Sequence, residues 1–127
     1  MSYMGMHRIS KSFGYAFQGL HTAITEEPNF RIHLVFAITA MLLGIFLGLK
    51  QLEWIVLIFT IFFVIILELL NTVLEAIVDL VSPDLKPAAK VAKDVSAACV
   101  LTAAFMSILV GFLLFAPKLL ALAMIGV

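Results

Sequence analysis

Residues 54–81 read WIVLIFTIFFVIILELLNTVLEAIVDLV, an unbroken apolar run whose second half carries carboxylates and an amide. At 1.5 Å per residue, about 28 helical residues span about 42 Å, more than the roughly 30 Å hydrocarbon core of a bilayer. One end therefore projects into the headgroups or beyond. At 100° per residue, Glu68, Asn71, Glu75 and Asp79 fall at roughly 0°, 300°, 340° and 20°, so the four line one stripe of a membrane-crossing helix. A carboxyl group in a spanning helix costs roughly 2.5–3.5 kcal/mol at the bilayer centre and less near its edge, which makes such residues functional candidates by default.

Composition supports this reading. Of 127 residues, 64% are hydrophobic and 13% charged, and the mean hydropathy is +1.19. A soluble domain is excluded. The length fits a single membrane-integrated domain, residues 1–127, built on three spanning helices. So thin a bundle exposes much of its surface, and an oligomer is expected. Eight basic and eight acidic residues cancel, which argues against nucleic acid as a partner, because phosphate neutralisation calls for a basic surplus. The single Cys99 can form no internal disulfide and reads as a small buried core residue. The first residues lack the short apolar block and cleavage site of a secretory signal, so the N-terminus is expected to be retained.

Working outward, residues from about 6 to 25 carry Ile9, Phe13, Phe17, Leu20 and Ile24 at spacings of three or four. This predicts an amphipathic helix lying on the membrane surface rather than crossing it. A turn follows at Glu26-Glu27-Pro28-Asn29, where proline disfavours helical geometry in the residue before it. The first crossing is predicted over about 32–49, and Lys50, Gln51 and Glu53 form a short connection. The second runs over about 54–81 from Trp54, an interfacial anchor type. Ser82 to Pro87 is a loop, and Lys90, Lys93 and Asp94 lead into a third crossing over about 95–116, with Pro117 and Lys118 marking its far end. The fold class is all-α integral membrane.

Basic residues set the expected orientation. Arg8, Lys11 and Arg31 precede the first crossing and Lys86, Lys90 and Lys93 lie between the second and third, against Lys50 and Lys118 on the other side. The positive-inside rule puts the N-terminus and the 82–94 loop in the cytoplasm and the C-terminus outside. Depth follows. Measured from Trp54 on a straight helix, Glu68 lies about 21 Å in, Glu75 about 31 Å and Asp79 about 37 Å. The stripe thus leads from lipid to cytosol.

At the same cytoplasmic edge stand Glu26 and Glu27, and Lys90, Lys93 and Asp94. Carboxylates supply the oxygen ligands that Mg²⁺ prefers, and a metal with nearby lysines neutralises polyphosphate charge. A nucleotide site fits these parts. There is no glycine-rich phosphate loop, so ATP would be held by metal bridging and basic side chains. Glu68, deeper, is suited to accept a proton from an alcohol at the interface, as phosphoryl transfer to a lipid hydroxyl requires. Asn71, one turn on, would orient that base or bind phosphate oxygens. The plainer reading of Glu68 is an interhelical hydrogen bond holding an oligomer together. Lys86 and Lys90 would then only enforce topology, and Asp79 and Asp84 would be solvated. His7, His21 and His33 have no ligand spacing, which argues against zinc. Tyr15 and Trp54 read most simply as interfacial anchors.

The run Glu68-Leu-Leu-Asn71-Thr-Val-Leu-Glu75-Ala-Ile-Val-Asp79, followed by Ala92-Lys93-Asp94 and Ser96-Ala97-Ala98, resembles the small membrane-integrated prokaryotic diacylglycerol kinase family. The segments from Gly14 to Gly19 and from Glu27 to Arg31 also align with it. Ser82-Pro83-Asp84 before Pro87-Ala-Ala-Lys90 looks most like the Gram-positive branch, which phosphorylates undecaprenol. The resemblance implies a homotrimer with active sites shared between neighbours. It further implies Glu68 as general base, Glu27 and Glu75 as holders of Mg²⁺ with ATP, and Asn71, Lys93 and Asp94 as supports for the phosphates. Arg8 and Tyr15 match positions near the nucleotide and the lipid headgroup. Asp84-Leu85-Lys86 stands where the diacylglycerol-using enzymes carry a Glu-Tyr-His run that contacts the nucleotide, so Asp84 and Lys86 are the residues of this chain at that contact. Val91 replaces a basic residue of the family's third helix, removing one phosphate contact.

The expectation is a kinase of the bacterial cell membrane, dependent on ATP and Mg²⁺, acting on a membrane lipid alcohol. Undecaprenol is expected first and diacylglycerol is the alternative. An oligomeric ion or proton pathway along the carboxylate stripe is the rival of another class. Against it, the acids gather at one leaflet, and Ile55 to Leu67 offers no polar relay besides Thr60. A purely structural subunit would leave Glu75, Lys93 and Asp94 without a purpose.

Overall fold

A computed structural model describes residues 3–126. They form four α-helices in chain order: α1 (Tyr3–Glu26), α2 (Pro28–Leu47), α3 (Gln51–Val81) and α4 (Pro87–Ile125). The last three are each long and apolar enough to cross a membrane. Only helices with internally paired backbones can do so when a chain contributes no closed barrel.

The corners are built by few residues. Glu27 is extended, with φ −106° and ψ 101°, and Pro28 opens α2, where its missing N–H costs nothing. The Arg31 guanidinium then reaches back and donates from Nη1 to the carbonyls of Ile24 at 3.2 Å and Thr25 at 3.0 Å. Carbonyls at the end of α1 that lack a helical partner are thereby satisfied. Between α2 and α3 the chain turns on Gly48, whose φ of 69° is left-handed. The N–H groups of Gly48 and Leu49 both reach the Gly44 carbonyl, at 3.0 and 3.1 Å. Gly44 is needed for another reason: a Cβ there would lie 2.9 Å from Leu49 Cδ1 and 3.0 Å from Trp54 Cη2. In the link between α3 and α4, the Ser82 hydroxyl donates to the Asp84 carbonyl at 3.0 Å and accepts from the Lys86 N–H at 3.4 Å.

α3 packs most extensively on α4, and α2 covers α3. Leu49, Leu57 and Phe115 form a buried cluster near the turn between α2 and α3, with Leu43, Trp54 and Leu114 against it. Large apolar side chains such as Phe36, Phe46, Phe59 and Phe112 remain exposed. In water such a surface would not persist, but in a bilayer it meets hydrocarbon. Cys99, expected in the core, is exposed, because so thin a bundle has little interior.

α4 also departs from expectation. It extends past both ends of the expected crossing, beginning at Pro87, ahead of Lys90, Lys93 and Asp94, and running through Pro117, expected at its far end, to Ile125. Proline removes one bond, to the carbonyl four residues earlier, and the apolar residues that follow keep the rest of the helix paired. Lys118 is held as well, with Nζ 3.0 Å from Glu53 Oε2 at the start of α3.

Candidate active site

The N-terminal end of α2, the C-terminal half of α3 and residues 94–104 of α4 line an open cavity of about 630 Å³. α3 contributes Glu68, Asn71 and Glu75, α2 contributes Asn29 and His33, and α4 contributes Asp94. The spacing on α3 aims its three polar side chains the same way, while Ala97, Ala98 and Ala104 of α4 leave the space open. Glu68 and Glu75, the deeper carboxylates of the predicted stripe, thus share one chamber.

Glu68 is the most enclosed polar residue there, at 2% exposure. Its Oε2 has no hydrogen-bond partner among the described residues, and His33 Nε2 stands 3.6 Å away. The Thr72 hydroxyl donates to the Glu68 carbonyl at 3.2 Å, so it satisfies backbone and not the carboxylate. Asn71 is fixed on both sides. Its Nδ2 donates to Glu75 Oε1 at 3.3 Å, and its Oδ1 accepts from the Ser96 hydroxyl at 2.7 Å.

Lys90 and Lys93 do not line the cavity, and they are paired differently from their order in sequence. Lys93 reaches from α4 to Asp79 on α3, whereas Asp94 pairs with Lys90 at 2.6 Å, one turn back on α4. Lys93 and Asp94, adjacent in the chain, therefore belong to two separate ion pairs. The remaining candidates lie off the cavity wall within one protomer. Arg8 and Tyr15 are exposed on α1, Glu27 sits at the N-cap of α2, and Asp84 and Lys86 lie in the link braced by Ser82.

Sequence reasoning missed Asn29 and His33 as cavity residues and Ser96 as the partner of Asn71. A histidine one turn into an apolar helix was the available signal for His33, but its partner lies on another helix.

A second, apolar cavity of about 410 Å³ runs deeper between α2, α3 and α4, past Phe36, Leu57, Ile61, Val64 and Phe115. Ile32, His33 and Ala104 border both cavities. The hydroxyls along it are occupied within their own helices: Thr39 donates to Val35, Thr60 to Val56 and Ser107 to Ala104. The two chambers therefore adjoin at Ile32, His33 and Ala104, one carrying the carboxylates and the other lined mainly by apolar side chains.

No group of three or more His, Cys, Asp or Glu is assembled as a metal cluster among the described residues. Glu27 and Glu75 nonetheless offer hard oxygen donors, and Mg²⁺ is commonly bound by one or two carboxylates together with substrate phosphates.

A sequence profile described as prokaryotic diacylglycerol kinase matches residues 14–115. A Bacillus subtilis protein named undecaprenol kinase is 37% identical over 90% of this chain and 93% of its own length. A Synechocystis diacylglycerol kinase is 42% identical over 87% of this chain and 64% of its own length. The Escherichia coli K12 diacylglycerol kinase is 31% identical over 83% of this chain and 86% of its own.

Proposed function

The chain belongs to the prokaryotic diacylglycerol kinase family and is a membrane lipid kinase, and we propose that it transfers the γ-phosphoryl group of ATP to the terminal hydroxyl of undecaprenol. The observation that carries this reading is the buried carboxyl of Glu68, set in a cavity that also holds Asn71, Glu75 and Asp94 and that shares Ile32, His33 and Ala104 with an adjoining apolar slot. A lipid alcohol has that shape: a single hydroxyl on a long hydrocarbon. The choice of undecaprenol draws on the Bacillus relative and on the residues of the 82–90 segment. Diacylglycerol is the second substrate, favoured by the Synechocystis and Escherichia relatives.

In this reading Glu68 accepts the hydroxyl proton as the alcohol oxygen attacks the γ-phosphorus, and ADP departs with the bridging oxygen. Glu27 and Glu75 would hold Mg²⁺, which supplies charge neutralisation for the polyphosphate. Asn71 keeps Glu75 oriented, and Asp94 on the cavity wall with Lys93 beside it in the chain would support the phosphates. Arg8, Tyr15, Asp84 and Lys86 would serve nucleotide and headgroup from outside the wall. Since Arg8 and Tyr15 are exposed on α1, they would meet a neighbour's cavity in a homotrimer with shared sites. α1 would lie on the cytoplasmic membrane surface, with the 82–94 loop in the cytoplasm and the C-terminus outside, as the basic residues favour. The bound hydroxyls of Thr39, Thr60 and Ser107 leave a proton or ion pathway without a relay through the apolar half.

The test is phosphate transfer from ATP by the purified protein in mixed micelles, offering undecaprenol and diacylglycerol in parallel with Glu68→Ala as the blank. Preferential labelling of undecaprenol is expected. Preferential labelling of diacylglycerol reassigns the substrate, and no labelling above the blank overturns the kinase reading for this chain.

A further inference from the structure

We propose that His33 is a positioning residue for Glu68, donating from Nε2 to one carboxylate oxygen so that the other faces the acceptor hydroxyl; this rests on reading Glu68 as the general base. Glu68 Oε2 is buried and has no hydrogen-bond partner among the described residues. Buried polar atoms in folded proteins are nearly always satisfied, and one that is not calls for a reason. The imidazole of His33, 3.6 Å away, is the donor that the fold sets beside it. Closing that gap by about 0.6 Å makes an ordinary N–H···O bond, and catalytic hydrogen bonds are often long until substrate is bound.

The place of His33 explains why substrate would close it. His33 lines both the polar cavity and the apolar slot, so it stands where a lipid's hydroxyl end meets its hydrocarbon. A chain filling the slot presses on the residue at the junction. The proton balance is simple. The hydroxyl proton passes to the free Glu68 oxygen, the oxygen–phosphorus bond forms as the bond to ADP breaks, and His33 keeps its own proton throughout.

The experiment compares His33→Ala, His33→Gln and His33→Phe with wild type in the micelle assay, with kcat and KM measured for ATP and for the lipid alcohol. Size-exclusion elution and thermal unfolding serve as checks on folding. His33→Ala is expected to lower kcat about 10- to 100-fold, the range for losing a hydrogen bond to a charged group, with the KM for ATP within about twofold by the same argument. Glutamine, whose amide nitrogen reaches as far as Nε2, is expected to restore much of the rate, while phenylalanine, with ring volume but no donor, is not. If alanine does not fold, the comparison of glutamine with phenylalanine carries the test. Equal rates for those two overturn the inference, as does His33→Ala at the wild-type kcat. Wild type no more active than Glu68→Ala sinks the kinase reading and this inference together; active wild type with unaffected His33 variants sinks this inference alone.

Discussion

Ser96 on α4 donates its hydroxyl proton to Oδ1 of Asn71 on α3 at 2.7 Å, a side-chain bond between helices on the wall of the site. It fixes the amide whose other end meets Glu75. Replacing Ser96 by alanine removes one partly buried neutral bond, which contributes about 1 kcal/mol. Thermal unfolding in detergent should show that loss. The KM for MgATP should rise about fivefold, in keeping with a bond of that strength. An unchanged KM would mean that Asn71 does not orient Glu75.

Glu68→Gln keeps the volume of the side chain and removes its capacity to accept a proton. The kcat is expected to fall at least about 100-fold, while oligomeric state and unfolding temperature stay at or above the wild-type values. Rate measurements beside size-exclusion chromatography separate the two. A folded variant with the wild-type rate would exclude Glu68 as the base.

Glu75→Gln should act through the metal. The Mg²⁺ concentration for half-maximal activity is expected to rise about 10- to 100-fold, the usual penalty for disturbing a metal site, with activity partly recovered at high Mg²⁺. A Mg²⁺ titration at saturating ATP and lipid reads this directly. An unshifted curve would remove Glu75 from the metal site.

Gly48 and Gly44 should respond differently. Gly48→Ala has free space for its methyl group but must hold a left-handed backbone, at a cost of about 1–2 kcal/mol. Gly44→Ala keeps a helical backbone and instead crowds Leu49 and Trp54, which overpacking places at about 1–3 kcal/mol. Unfolding temperatures in detergent would rank them. Because both glycines sit at the far end of α2 from the cavity, kcat should be unchanged in each.

The polar stripe of α3 was legible because a membrane restricts the backbone to helices, and a helix fixes which residues share a face. Glu68, Asn71 and Glu75 accordingly share one cavity, and Asp94 of α4 joins them there. What the sequence could not supply was pairing between helices. Nothing in the spacing of α2 links His33 to Glu68, and the order Lys93-Asp94 hides the fact that each joins a different partner. The course of α4 beyond Ala116 was misread because a proline signal calibrated on water-exposed helices weakens where lipid makes breaking a helix costly. Arg8, Tyr15, Asp84 and Lys86 were reached through family resemblance, and within a single protomer they do not line the cavity.

The tight turn at Gly48 bears on biogenesis. With α2 ending at Leu47 and α3 starting at Gln51, the tip carries only Lys50, Gln51 and Glu53 as strongly polar cargo. Two apolar segments joined so closely can leave the translocon as one hairpin, their backbones already paired, while the cluster around Leu49 and Leu57 waits for Phe115 of α4. α4, tethered by a longer link, docks afterwards. The chamber that needs Asp94 and Ser96 would then be completed only at that last step, so an unfinished chain would hold no working site.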